Sequence, residues 1–452
     1  MSPSKTTRRD FIRNTALTGA GIWIAGGTGC RLFSPRPEPR YRSANEKLNI
    51  ACIGAGGRGG GNVRGVSSEN IVALCDVDDE RAAGSYKDHP GAKKYHDFRR
   101  MFDEMHAQID AVVISIPDHS HALPAMIAMQ LGKHVYCEKP LTHDVFEARI
   151  LAETAAEYGV VTQMGNQGTA HDNFRRGVEV IKGGVIGPVR EAHIWTNRPV
   201  WPQGMARPTE TPPVPAHLQW DLFLGTAPVR PYHPAYHPFT WRGWWDFGTG
   251  ALGDMGCHTA NLAFMALDLG SPVSLKSQNS EFNRDSFPTW SVITLEFPAR
   301  GEKPPVTWTW YDGSDQKPQW VIDKIKSLIH GEEMSGSGAV LIGDEGTLYS
   351  PNDYGADWVL LPGDQFRDAK LPEPTLPRSP GHHQEWIEAC KGGAPTFSDF
   401  SYGGPLTEAL LLGNIAMYTG EEIQWDGKGL EVTNSEKAQH LVRREYRKGW
   451  AW

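Results

Sequence analysis

A glycine-rich loop set between a short apolar run and a helical stretch constrains this chain more than any other feature. Leu48 to Ile53 reads as a buried strand, and it runs directly into Gly54-Ala55-Gly56-Gly57-Arg58-Gly59. Gly54, Gly56 and Gly59 satisfy G-x-G-x-x-G. The first allows a tight turn, the second a close backbone approach to a pyrophosphate, and the third close packing of helix on strand. The helix that follows offers unpaired N–H groups and its positive dipole end to the phosphates. A second apolar run, Ile71 to Cys75, ends at Asp76, 22 residues after Gly54, close to the spacing of a ribose-binding carboxylate. Such an acid accepts hydrogen bonds from a free ribose 2′-hydroxyl and repels a 2′-phosphate, so NAD is expected over NADP. Arg58 in the cradle softens that preference.

The rest of the chain extends the pattern. Ile109 to Ile116, His134 to Cys137 and Val160 to Met164 are further buried runs, and Ser120 to Leu131 and Asp144 to Tyr158 have helical period between them. Short buried strands alternating with helices make βαβ units and a parallel sheet. Beyond about Gly187 the runs lengthen: Val189 to Thr196, Thr289 to Phe297, Val306 to Tyr311 and Ala339 to Leu348 suit an antiparallel sheet. His382 to Cys390 and Pro405 to Tyr418 read as helices. The expected fold is α/β, an N-terminal doubly wound Rossmann sheet followed by an α+β domain with a large, mostly antiparallel sheet. A chain of 452 residues exceeds one ordinary core, which agrees with two domains, at 47–168 and 169–452.

The first residues read as an address. Arg8-Arg9 precede an apolar, Gly/Ala/Thr-rich stretch from Ala16 to Gly29, the pattern of a twin-arginine signal peptide. Residues 1–30 are taken as signal and 31–46 as linker, so the expected partner is the twin-arginine export machinery and the expected location is the periplasm. Cys30 follows Gly27-Thr28-Gly29 and leaves a lipid anchor open. A net charge of −8 argues against a nucleic-acid binder. None of the six cysteines forms a CxxC pair, and Cys52, Cys75 and Cys137 lie in apolar runs as small hydrophobes, so neither a metal site nor a disulfide scaffold is expected.

Two motifs carry candidate chemistry. Glu138-Lys139-Pro140 follows the His134–Cys137 strand at the carboxyl edge of the sheet, where open α/β folds bind ligands. A lysine there can hydrogen-bond a substrate hydroxyl and lend charge beside a developing alkoxide. Gly250-Ala251-Leu252-Gly253-Asp254-Met255-Gly256-Cys257-His258 opens a helix that sets Asp254 and His258 on one face. An imidazole can take a hydroxyl proton while a hydride leaves the carbon, and the carboxylate can orient it or bind another hydroxyl. An N-cap Asp with a locally paired His is the bland alternative.

Together with Pro117-x-x-x-His121, these motifs resemble, in order and spacing, the Gfo/Idh/MocA oxidoreductases. The resemblance covers essentially the whole chain after the signal. It implies that Lys139, Asp254 and His258 are catalytic, and it adds Pro117, His121, Glu138, Asn166 and Gln167 to Gly54, Gly56, Arg58, Gly59 and Asp76 on the cofactor side. The chain looks closest to an exported branch carrying Trp195-Thr196-Asn197-Arg198-Pro199 and Trp244-Trp245-Asp246-Phe247-Gly248 and ending near Arg444-Glu445-Tyr446.

Six of the sixteen tryptophans fall between Trp195 and Trp245. Aromatic faces bury the C–H patches of a pyranose, so Trp195, Arg198, Tyr236, Trp241 and Trp245 are expected to contact a carbohydrate or polyol; a core or interface role is the competing reading. Free NAD(H) is scarce outside the cytoplasm, so an exported enzyme would travel with its dinucleotide and recycle it. The expected activity is NAD-dependent oxidation of a secondary hydroxyl of a sugar, polyol or glycoside. Glycoside cleavage by transient oxidation and elimination is the alternative, and a non-catalytic sugar-binding protein a second one. A homo-oligomer built through the C-terminal sheet is also expected.

Overall fold

The computed structural model describes Pro39 and residues 41–451, so the expected signal peptide with Arg8-Arg9, and Cys30, lie outside the described residues. The first sheet contains β1 (Asn49–Ile53), β2 (Asn70–Cys75), β3 (Lys93–Tyr95), β4 (Ala111–Ile114), β5 (His134–Cys137) and β6 (Thr162–Met164). All its pairings are parallel and its order is β3-β2-β1-β4-β5-β6, the doubly wound arrangement that switches direction between β1 and β4. Its central strands are apolar on both faces because helices cover both faces. The helix Val145–Tyr158 shows how local sequence sets its limits. Asp144 and Glu147 form a reciprocal capping box at its start, and Gly159 ends it in the left-handed region.

The second sheet has nine strands: β7 (Val189–Trp195), β8 (Ser274–Asn279), β9 (Ser291–Phe297), β10 (Val306–Asp312), β11 (Gly338–Gly343), β12 (Thr347–Ser350), β13 (Val359–Leu361), β14 (Ile423–Asp426) and β15 (Glu431–Val432). The order is β13-β12-β11-β7-β10-β9-β8-β14-β15, and only β7 and β10 run parallel. β9 alternates buried and half-buried residues along its length, as a sheet with one face on the core requires. The single strand expected over Ala339 to Leu348 is instead a hairpin. Asp344-Glu345-Gly346 turns the chain, with the Gly343 N–H donating to the Gly346 carbonyl. The helix expected from Pro405 begins earlier, at Phe400, where Asp399 caps the Tyr402 N–H.

One large apolar core joins the inner faces of both sheets. The outer face of the first sheet is closed by Trp386, Ile387 and Cys390 of the late helix His382–Cys390, which pack with Leu48, Ile50 and Tyr136. The end of the chain therefore completes the core of its beginning. The five described cysteines are buried free thiols, three of them on β1, β2 and β5 as expected. No described helix is long and apolar enough to cross a membrane.

Candidate active site

A cleft of about 510 Å³ opens at the carboxyl ends of β1 and β4 and is closed from above by the second half of the chain. Gly54 sits at φ +87°, and a Cβ there would lie 2.4 Å from the Ser115 carbonyl oxygen, so only glycine fits between these strands. Gly59 packs equally closely on Gly54 and serves helix–strand contact rather than the cleft. The helix Arg58–Gly65 starts at Gly57 with no side-chain cap, which leaves its first N–H groups for a ligand. The loop thus fits a pyrophosphate. At the end of β2, Asp76 accepts from the Ala55 N–H (2.8 Å) and the Gly56 N–H (3.0 Å), so the acid braces the loop and lines the cleft at once. Burial pushes its carboxyl up despite those donors.

Glu138 is buried beneath Arg58, whose Nε donates to it at 2.8 Å, and it also accepts from Asn62 Nδ2 at 2.8 Å. Burial works against its ionisation, but Arg58 and Lys139 hold it below the usual carboxylate range. His121 contacts the Pro140 carbonyl through Nδ1 (2.9 Å) and the Ile116 carbonyl through Nε2 (2.6 Å), tying together the loops that follow β4 and β5.

Lys139 points across the cleft at the helix Gly250–Thr259. A Cβ on Gly256 would lie 2.5 Å from Leu410, so this glycine lets the helix pack tightly on the helix Phe400–Thr419 while Asp254 and His258 face the cleft. Lys139 Nζ donates to Asp254 Oδ1 and to the Asp254 carbonyl, both at 2.8 Å, leaving one of its three protons for a ligand. Arg242 Nε donates to the same carboxylate oxygen at 3.2 Å. Burial alone would raise the Asp254 carboxyl, yet Lys139 and Arg242 hold it far below its ordinary range. His258 lies edge-on to Tyr354 at 5.0 Å, with Nδ1 buried and unpartnered among the described residues. Burial, followed by the Lys139 charge, holds His258 well below 6.5, so the imidazole is neutral and able to accept a proton. The sequence allowed Asp254 to orient His258. The structure pairs Asp254 with Lys139 and Arg242 instead.

Among the remaining expected residues, Arg58, Pro117, His121, Gln167, Arg198 and Trp241 line the cleft. Asn166 does not: it is fully buried and accepts from Ser398 Oγ. Three expected carbohydrate contacts are also corrected. Trp195 is fully buried on the second sheet, stacked on Tyr349 with its indole N–H donating to the Ser335 carbonyl at 2.8 Å. Tyr236 belongs to an aromatic cluster with Trp220, Trp244 and Phe247 that gives the tryptophan-rich stretch its own small core. Trp245 packs on Tyr418 and lines a separate cavity. Sequence reasoning missed Arg242, whose guanidinium lies 4.2 Å over the Trp241 ring beside Asp254. Its only signal was its place next to Trp241, in a stretch read for its aromatics. No cluster of three or more metal-ligating side chains occurs among the described residues.

Comparison with known proteins agrees with this architecture. A model described as "Oxidoreductase family, NAD-binding Rossmann fold" matches residues 48–166, and one described as "Oxidoreductase family, C-terminal alpha/beta domain" matches 194–302, together half of the chain. Inositol 2-dehydrogenase 2 of Saccharopolyspora erythraea is 37% identical over 98 residues, 21% of this chain and 28% of that protein. A glycosyl hydrolase family 109 protein of Solibacter usitatus is 31% identical over 164 residues, 33% of this chain and 36% of that protein. The matches span about a third of the length of these curated relatives. Among solved structures, the WlbA dehydrogenase from Bordetella pertussis in complex with NADH and UDP-GlcNAcA superposes with a TM-score of 0.59 at 16% identity, covering 84% of this chain and 98% of that one. The aldose-aldose oxidoreductase from Caulobacter crescentus complexed with glycerol gives 0.56 at 15% identity, covering 84% and 100%. At such identity these structures show a shared fold.

Proposed function

The chain belongs to the Gfo/Idh/MocA family of NAD-binding oxidoreductases, and on that premise we propose that it oxidises a secondary hydroxyl of a sugar, polyol or glycoside. The observation that carries this reading is the meeting of Lys139, Asp254 and neutral His258 in the cleft that the Gly54–Gly59 loop opens. NAD bound there supplies a hydride acceptor. Gly54, Gly56 and the uncapped helix start would hold its pyrophosphate, and Asp76 its adenosine ribose. Lys139, fixed by Asp254, donates a hydrogen bond from its remaining N–H to the substrate oxygen and stabilises negative charge as it develops. His258 takes the hydroxyl proton. Arg242 keeps Asp254 ionised and so keeps Lys139 in place. Arg198 and Trp241 supply the cation and aromatic face that meet the rest of the substrate.

His258→Ala tests the assignment. Turnover should fall by about 10²–10⁴-fold, typical of losing a general base, while dinucleotide titration stays at the parent value. Near-normal turnover would remove His258 from the mechanism.

A second reading, glycoside cleavage by transient oxidation and elimination, is favoured by the similarity to the family 109 protein. It predicts release of aglycone from aryl glycosides with no accumulation of reduced dinucleotide.

Export by the twin-arginine route to the periplasm belongs to the same proposal, supported by Arg8-Arg9 and the apolar stretch after them. Replacing both arginines by lysine should strand the precursor in the cytoplasm. Self-association through the second sheet is supported by its extent of nine strands and is read by light scattering.

A further inference from the structure

The end of the chain returns to the cleft. After the helix Glu436–Val442, Arg444 turns inward, and its Nη2 donates to Glu147 Oε1 and Thr226 Oγ1, both at 3.0 Å. Tyr446 donates its hydroxyl proton to the Glu147 carboxylate. The Arg447 N–H donates to the Thr226 carbonyl at 3.1 Å, and its guanidinium donates to the Gly225 carbonyl (3.0 Å), the Asp221 carbonyl (2.9 Å) and the Asp221 carboxylate. These anchors carry Gly449 and Trp450 across to the first sheet. There Arg99, on the helix Phe98–Met105, lies 3.9 Å over the Trp450 ring and reaches the Gly449 carbonyl at 3.4 Å. Phe98 meets the same ring edge-on at 6.1 Å.

Trp450 and Phe98 line the cleft together with His96 and Asp97, on the β3 side of Asp76. A dinucleotide whose ribose meets the acid at the end of β2 has its adenosine on that side. Anchors used only to tidy a chain end would not need to bring an aromatic ring into the wall of a ligand cleft. Trp450 is 5% exposed and held between Arg99 and Phe98 of the helix Phe98–Met105, so the wall stands in place before a ligand binds.

We propose that the C-terminal tail is part of the dinucleotide site, with Trp450 as the adenosine-side wall that slows release of the cofactor. The inference rests on the reading that the cleft takes NAD, and it deepens that reading. Exit at the adenosine end requires Trp450 to leave Arg99 and Phe98, so the wall acts on the dissociation rate. An oxidoreductase working where free dinucleotide is scarce needs such retention.

The test uses the full chain, a Trp450→Ala variant, and a chain ending at Lys448, which keeps Arg444, Tyr446 and Arg447. NADH is loaded, and its dissociation is followed by fluorescence after a chase with excess NAD. Both variants should release NADH about tenfold faster or more, the scale expected on losing one buried aromatic contact. Affinity for ADP-ribose should weaken in step and affinity for nicotinamide mononucleotide should not, both read well below the melting temperatures of the variants, which fall because Trp450 is buried in the shared core. Release rates within about twofold of the parent overturn the role of the tail while leaving the proposed function standing. Failure of the parent to bind NADH at all overturns both.

Discussion

Asp254→Asn isolates the charge arrangement on which the proposed chemistry depends, because it keeps the shape of the side chain and removes only its charge. Lys139 Nζ and Arg242 Nε stand 2.8 Å and 3.2 Å from the same Asp254 oxygen. At an effective dielectric of ~20 each attraction is about 5–6 kcal/mol before desolvation is subtracted. Breaking one member out of a buried pair costs about 3–5 kcal/mol. The Lys139, Asp254 and Arg242 side chains retain 14%, 12% and 21% exposure at the cleft wall, so water recovers part of that cost, and about 2–3 kcal/mol of destabilisation is expected. Two cations then face each other without a carboxylate, and Lys139 loses its fixed direction, so kcat/KM should fall with stability. Urea denaturation of parent and variant gives the difference by linear extrapolation. The folded-state pKa of Asp254 is depressed, so its contribution is fully present above the ordinary carboxylate range and is lost as pH falls through the depressed value. The gap between parent and variant should therefore hold from pH 7 to pH 5 and begin to narrow below about pH 4. Lys139→Met combined with Asp254→Asn should cost less than the sum of the two singles, because each removes the same pair. Equal stability of parent and Asp254→Asn within about 0.5 kcal/mol would refute the pairing.

Other outcomes follow from packing. Gly54→Ala combines a positive φ with a Cβ 2.4 Å from the Ser115 backbone, so β1 and β4 must separate and thermal stability and dinucleotide binding should be lost together; a normal melting curve with normal binding counts against the loop geometry. Trp195→Ala empties a fully buried site and should cost about 3–5 kcal/mol with the substrate KM unchanged in the folded fraction, whereas a raised KM at full stability would return Trp195 to the substrate site. Burial holds His119 at about 3 and His382 at about 4 in the folded chain. Each contributes stability that is complete above about pH 6.5 and is lost as pH falls towards its folded value. The melting temperature should therefore drop on acidification from pH 6.5, and a flat profile between pH 6.5 and 4 would contradict their burial.

The first sheet was legible in the sequence because strands apolar on both faces and a glycine loop leave few alternatives. Asp76, Lys139 and His258 were readable for the same reason: their positions follow from a strand end or a helix face. The tryptophans were not. An aromatic that packs a core and one that faces a ligand share the same composition, and the difference between Trp195, under Tyr349, and Trp241, in the cleft, lies in contacts more than a hundred residues away in sequence. The partner of Asp254 was hidden likewise. His258 is a neighbour along the helix, while Lys139 arrives from the end of β5 in the first sheet and Arg242 from the short 3₁₀ helix Thr240–Gly243. The hairpin of β11 and β12 was missed because its turn interrupts an otherwise continuous apolar alternation for only three residues.

The proposed oxidoreductase chemistry is tested most directly by the state of the dinucleotide in purified protein, read by extraction and by the near-ultraviolet absorbance of reduced nicotinamide, before and after a panel of sugars, polyols and aryl glycosides. NAD(H) should copurify or bind from solution, and at least one compound of the panel should reduce it, or be cleaved with the dinucleotide returned to its starting state, in the parent but not in His258→Ala. A protein that binds no dinucleotide, or one whose bound dinucleotide no hydroxylated substrate changes and whose aryl glycosides stay intact, would contradict it.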